Sequence, residues 1–207
     1  MNREFKNIYY WGRKFHIHLG LFLLLFIWLF SISGLLLNHG NKWKFASFWD
    51  ERKVKTTVTP VQIDLKLDSA ALLKNIMGQL KISGEVSRVW FTTDSIDFRV
   101  SIPGHESNLH VNLKNGSCIQ KELTFNLWGK VRILHTFNGI NKDNPDLIPN
   151  WIVTRIWQFT KDVVAIGFII LCLSSWIIWY KFRKKYRWGL PILIVGFAIS
   201  IYFIFLL

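Results

Sequence analysis

The sequence predicts an α-helical membrane protein with three transmembrane helices and a small α+β module inserted between the first and second. Three observations predict this. Leu19–Leu37, Val163–Tyr180 and Leu190–Leu207 are uninterrupted apolar runs, and about 20 such residues in a helix cross a hydrocarbon core of about 30 Å. Basic residues gather at the edges of these runs. Between the first two runs the pattern changes to short alternating segments separated by turn residues.

The composition agrees. Of 207 residues, 51% are hydrophobic and 16% aromatic, and the mean hydropathy is positive. This fits a membrane protein with a modest water-exposed part and excludes a disordered chain. In lipid each apolar run must be helical, because an unpaired backbone group has no water to bond.

The formal net charge is +13. The charge does not read as a nucleic-acid surface, because it concentrates at membrane edges. Arg3, Lys6, Arg13 and Lys14 precede the first run, and Lys181, Arg183, Lys184, Lys185 and Arg187 separate the second from the third. The positive-inside rule makes both clusters cytoplasmic. The N-terminus is then expected inside, Gly40–Asn150 outside, a short loop inside, and the C-terminus at the outer face. The last basic run also favours anionic lipid.

Residues 1–40 comprise a cytoplasmic N-terminus and the first transmembrane helix. The run is longer than a signal core and no small-residue cleavage site follows, so it reads as a retained anchor. Tyr9, Tyr10 and Trp11 suit an inner aromatic belt, and Trp43, Phe45, Phe48 and Trp49 an outer one. A kinked or interfacial amphipathic segment is expected after His39.

The module occupies residues 41–123. Asp68 is placed to cap a helix over Ser69–Leu80, with Ala70, Leu73, Ile76, Met77 and Leu80 on one face. Strands are expected over Val86–Phe91, Ile96–Ile102, Leu109–Leu113 and Ser117–Glu122. In the second, Ile96, Phe98, Val100 and Ile102 alternate with polar residues, as in a half-buried strand. Asp94-Ser95 and Pro103-Gly104 punctuate the strands, and Asn115-Gly116 is a hairpin signal. The expected order is one helix followed by an antiparallel meander.

Residues 124–150 continue as an amphipathic segment and a loop. The amphipathic pattern runs over Leu123–Phe137, with Val131, Leu134 and His135 on one face, and Asn138–Pro149 is polar and turn-rich. The second transmembrane helix, in residues 151–184, is expected to start near Asn150. The third lies in residues 185–207, with Pro191 in its first turn. Ser31, Ser33, Gly34, Ser174 and Ser175 are small residues that let helices approach closely.

Cys118 is expected outside and Cys172 within the second span, so no disulfide framework follows. There is no C-x-x-C-H run, so any haem would be held non-covalently. No nucleophile–base pair, phosphate loop or zinc signature occurs, which argues against hydrolytic or kinase chemistry.

The order of parts resembles the PepSY-associated transmembrane helix family. Arg13-Lys14-Phe15-His16, the apolar run, and Ser33-Gly34-Leu35-Leu36-Leu37-Asn38-His39 with Trp43 are similar to that family's L-H … [ST]-G-L-x-L-N-H … W pattern. The helix-plus-strands unit ending in Asn115-Gly116 resembles a periplasmic PepSY domain. Leu134-His135, Asp162 and the helix ending in Trp179 are similar to the family's L-H … D … S-G-x-x-W half. Ser175-Trp176 stands where the family has its small-Gly pair, and the transmembrane histidines are fewer than in di-haem reductases. The resemblance implies a bacterial inner-membrane protein that binds b-type haem (haem b) through membrane histidines. It implies electron transfer toward periplasmic iron, a ferric siderophore or a redox partner, and so a possible component of a haem-dependent ferric reductase.

Haem iron used for electron transfer needs two fixed axial ligands, and imidazole is a common one. His39 and His135 are the candidate pair; the plainer reading makes both ordinary interfacial histidines. His16 matches the family pattern and would serve an inner site only across a subunit interface. His18, two residues on, points to the other side. His105 and His110 read as module-surface residues. Arg155 and Lys161 suit haem propionates, or form an ion pair with Asp162, a costly ionisable group at that depth. The rival to haem binding is a non-catalytic membrane subunit whose module binds a protein or envelope partner.

Overall fold

The computed structural model describes residues 3–40, 42–47, 51–137, 151–182, 184–185 and 187–206. The expected loop over residues 138–150, the belt residues Phe48 and Trp49, and Arg183 lie outside the described residues. Three helices are long and apolar enough to cross a membrane: α1 (Arg3–His39), α4 (Ile152–Phe182) and α5 (Gly189–Leu206). α1 and α4 extend beyond their apolar runs, because helical hydrogen bonding continues through the polar flanks. A five-stranded antiparallel sheet lies between α1 and α4 in sequence.

The chain forms two compact units. The first comprises Met1–Phe26 with Asp162–Leu207, and the second Ile27–Lys161. In the first unit α1 and α4 pack antiparallel through small residues. A Cβ on Gly167 would lie 2.8 Å from Leu23 Cδ1, and one on Gly20 would lie 3.8 Å from Leu171. Glycine at 167 is therefore what lets Leu23 sit fully buried. Tyr9 is also buried: its ring meets Phe182 edge-on, and Lys181 Nζ stands 3.5 Å above it. A cation over an aromatic face is attracted by the ring quadrupole, so this expected belt residue joins two helices.

The second unit contains β1 (Lys53–Pro60), α2 (Ser69–Gln79), β2 (Glu85–Phe91), β3 (Ser95–Ile102), β4 (His105–Asn112), β5 (Ser117–Thr124) and α3 (Leu127–Thr136). The sheet order is β1-β5-β4-β3-β2. Asp68 caps α2 as expected, accepting a hydrogen bond from the Ala71 N–H at 2.7 Å. Leu72, Leu73, Ile76 and Met77 of α2 pack against Val86, Ile96, Phe98, Val100, Leu109, Val111 and Cys118 of the sheet. Each fully buried aliphatic side chain contributes about 1.5–3 kcal/mol, so this layer is the principal stabilising term of the module. Burial pushes the Cys118 thiol up to about 11, which leaves it protonated and inert in the core.

Two expectations are corrected. The module does not begin with its helix: β1 precedes α2 and pairs with β5 from Lys53↔Thr124 to Pro60↔Ser117. The amphipathic segment does not start at Leu123. β5 continues to Thr124 because β1 and β4 both pair with that end. α3 begins only after Asn126, whose side chain accepts from the Gly129 N–H at 3.0 Å.

Glu85, at the start of β2, is fully buried. Its Oε2 accepts a hydrogen bond from the Trp151 N–H at 3.1 Å, one residue before α4. An acceptor there satisfies a free helix-end donor and complements the helix dipole. Burial raises the Glu85 pKa, opposed by the Thr154 hydroxyl, the Trp151 N–H and the Arg155 charge. The Thr154 hydroxyl lies near enough to favour the carboxylate yet makes no well-formed bond. Glu85 Oε1 and Thr154 Oγ1 are both buried without a hydrogen-bond partner among the described residues.

A raised carboxyl pKa means that the folded unit holds the proton more tightly than the unfolded chain. This contribution is fully present below the ordinary value of 4.5 and is lost as pH rises through the folded value. Glu85→Gln is expected to remove that part of the pH dependence, read by thermal unfolding in detergent at a series of pH values. Glu85→Ala leaves the Trp151 N–H unpaired and is expected to cost about 1–3 kcal/mol. An unchanged pH profile in Glu85→Gln would contradict this account.

Gly116 closes the β4–β5 hairpin at φ +65°, and a Cβ there would lie 2.7 Å from the Val61 carbonyl oxygen. That carbonyl cannot retreat freely, because the Val61 N–H donates to the Gly116 oxygen at 2.7 Å. Gly116→Ala is expected to destabilise the module by about 1–2 kcal/mol from the left-handed backbone alone. Chemical denaturation followed by the sheet circular dichroism signal checks it.

Candidate functional site

The candidate outer site belongs to the second unit. α3 carries His135 in its last turn. His135 Nδ1 lies 2.6 Å from Ser33 Oγ of α1. The Phe30 ring, one turn before Ser33, meets the imidazole edge-on with centroids 5.3 Å apart. Phe30 also stacks with Trp157 of α4 at 6.4 Å, and Trp157 Nε1 is buried without a hydrogen-bond partner among the described residues. His135 is thus half-buried, with the Phe30 ring against it and Trp157 on Phe30. Its Nε2 makes no hydrogen bond among the described residues.

His39, the last residue of α1, is exposed and stacks on Trp43, with centroids 5.3 Å apart and planes 27° apart. Its carbonyl accepts from the N–H groups of Lys42 and Trp43, which holds Trp43 against the helix end. Neither ring nitrogen of His39 has a partner among the described residues. Ser33 and His39 are six residues apart, which is about 120° around a helix of 3.6 residues per turn. His135 and His39 therefore engage different faces of α1, each with its own aromatic partner.

Lys161 has a local partner, and Arg155 lies within electrostatic reach of Glu85. Arg155, exposed in the second turn of α4, acts electrostatically on Glu85. Lys161 Nζ donates to the Phe137 carbonyl at 2.9 Å, closing the residue that follows α3. These bonds were not legible as an alternative to an ion pair with Asp162.

In the first unit, His16 of α1 places Nδ1 2.8 Å from Ser174 Oγ of α4, and its Nε2 has no partner among the described residues. His18 is exposed and turns back to the Lys14 carbonyl at 2.7 Å. The two rings diverge, as a spacing of two on a helix requires. In the module, His105 meets the Thr124 and Ser107 hydroxyls, and His110 pairs with Asp97 at 2.7 Å. Both are structural partners of neighbouring strands. No group of three or more metal-ligating side chains occurs among the described residues.

Three residues gain roles that sequence reasoning missed. Ser33 and Ser174 were read as small packing residues, but each holds a histidine. The signal available was the histidine itself: an imidazole on an apolar helix needs a polar partner. Glu85 gave no signal, since a glutamate at a strand start is ordinarily solvated. Compared with known proteins, the chain matches no family model, no curated protein and no solved structure, so the PepSY-associated resemblance rests on its motif residues.

Proposed function

We propose that this protein is a bacterial inner-membrane haem b protein, of PepSY-associated type, that passes electrons toward periplasmic iron, a ferric siderophore or a redox partner. The observation that carries the reading is the state of His135. It is half-buried against the Phe30 ring, bonded through Nδ1, and leaves Nε2 without a partner among the described residues. A ligating histidine in other metal sites has this arrangement, with one nitrogen hydrogen-bonded and the other free for metal. His39, the expected second ligand, has both ring nitrogens free among the described residues but stands on another face of α1, stacked on Trp43. The structure thus supplies one placed imidazole, and b-type iron, which takes two, would need the His39 ring turned toward His135 or an imidazole from a second copy.

Bound haem supplies the one-electron chemistry. The chain's own residues do the rest. Ser33 orients the His135 ring, and Phe30 packs against its edge. Arg155 is an exposed cation available to a propionate. His16 would serve a second site in an oligomer. The basic clusters favour a cytoplasmic N-terminus and a periplasmic module.

One observation favours a second reading, a non-catalytic membrane subunit. No side chain of α5 is buried within the chain, which suits a helix that packs against another protein.

A reduced-minus-oxidised absorbance spectrum of the detergent-purified protein separates the two. The expected outcome is a b-type α-band that is lost in both His39→Ala and His135→Ala. A colourless protein after expression with ample haem would overturn the haem reading and leave the subunit.

A further inference from the structure

His135 and His16 lie on different elements but are held by one device. His135 Nδ1 meets Ser33 Oγ at 2.6 Å, and Ser33 Oγ lies 3.1 Å from the carbonyl of Phe30, three residues earlier. His16 Nδ1 meets Ser174 Oγ at 2.8 Å, and Ser174 Oγ lies 3.0 Å from the carbonyl of Leu171, again three residues earlier. A serine hydroxyl has one hydrogen and two lone pairs, and a carbonyl only accepts. When both contacts form, the hydroxyl hydrogen goes to the carbonyl and a lone pair faces the ring. Nδ1 must then carry the imidazole hydrogen.

The opposite arrangement is poorer. If the hydroxyl donated to Nδ1, one hydrogen bond would replace two. The ring hydrogen would move to Nε2, where no acceptor exists among the described residues.

We propose that Ser33 and Ser174 are positioning residues that fix His135 and His16 as Nδ1–H tautomers, so that each ring offers a bare Nε2 lone pair to a metal centre. That the metal is haem iron rests on the function proposed above; the tautomers do not depend on it. The other histidines are held differently. His105 uses both ring nitrogens on hydroxyls, and His110 faces a carboxylate. His18 donates Nδ1–H to a backbone carbonyl and so provides an internal reference for the same tautomer.

The test is nitrogen NMR of the full chain, ring-labelled at histidine, in detergent and without haem. The pH is about 8, above the ordinary imidazole pKa of about 6.5. In the unmodified protein His16 and His135 are expected to match His18, with the hydrogen on Nδ1 and Nε2 unprotonated. Ser33→Ala is expected to abolish that signature at His135 alone, and Ser174→Ala at His16 alone. Ser33→Thr and Ser174→Thr keep a hydroxyl able to bond the preceding turn and are expected to restore it. A hydrogen on Nε2 in the unmodified protein overturns the proposal, whatever the haem spectrum shows. The expected tautomers in a protein that takes up no haem would uphold it while removing the haem reading.

Discussion

A polar side chain on a helix long and apolar enough to cross a membrane needs its partner within the protein, because lipid would supply none. This constraint orders the structure. It selects serine opposite each half-buried helical histidine, at 33 for His135 and at 174 for His16. It also explains why each serine hydroxyl turns back to its own helix. A hydroxyl that donates to the preceding turn is satisfied whether or not the histidine is present, so the device tolerates movement of the ring better than an isolated pair would.

The same constraint acts at the start of α4. A helix beginning beside a packed module has backbone N–H groups with no intrahelical acceptor. The Glu85 carboxylate takes one of them, from Trp151, and brings a negative group to the positive end of the helix dipole. The cost is a buried carboxyl with Oε1 unpaired among the described residues. A single residue thus ties the first residue of β2 to the beginning of a membrane-length helix. Packing alone, which is non-directional, would not fix that helix end so closely.

Much of the fold was legible because it rests on local signals. Apolar length predicted α1, α4 and α5, Asp68 predicted the start of α2, and alternation predicted β3. β1 escaped because burial does not specify it. Val54 and Val58, its apolar positions, stay 51% and 65% exposed, and the strand is held by backbone pairing along β5. The histidines were legible as candidates, since His16 and His39 flank the first apolar run and His135 shares the apolar face of an amphipathic segment. Their partners were not, because the Ser33–His135 and His16–Ser174 bonds join residues 102 and 158 positions apart. Glu85 was invisible for the same reason: its burial depends on Trp151, 66 residues later.

The choice of serine over a carboxylate as histidine partner follows from where the rings sit. A carboxylate would fix the same tautomer more strongly, as a charge-assisted acceptor. On a membrane-length helix it would also bring a charge that needs its own partner, and a centrally placed one costs several kcal/mol. In the water-exposed module the opposite choice is made: His110 pairs with Asp97, and both are about half exposed. Serine supplies direction without charge. A carboxylate partner increases the basicity of a ligating imidazole, and a neutral hydroxyl does so less.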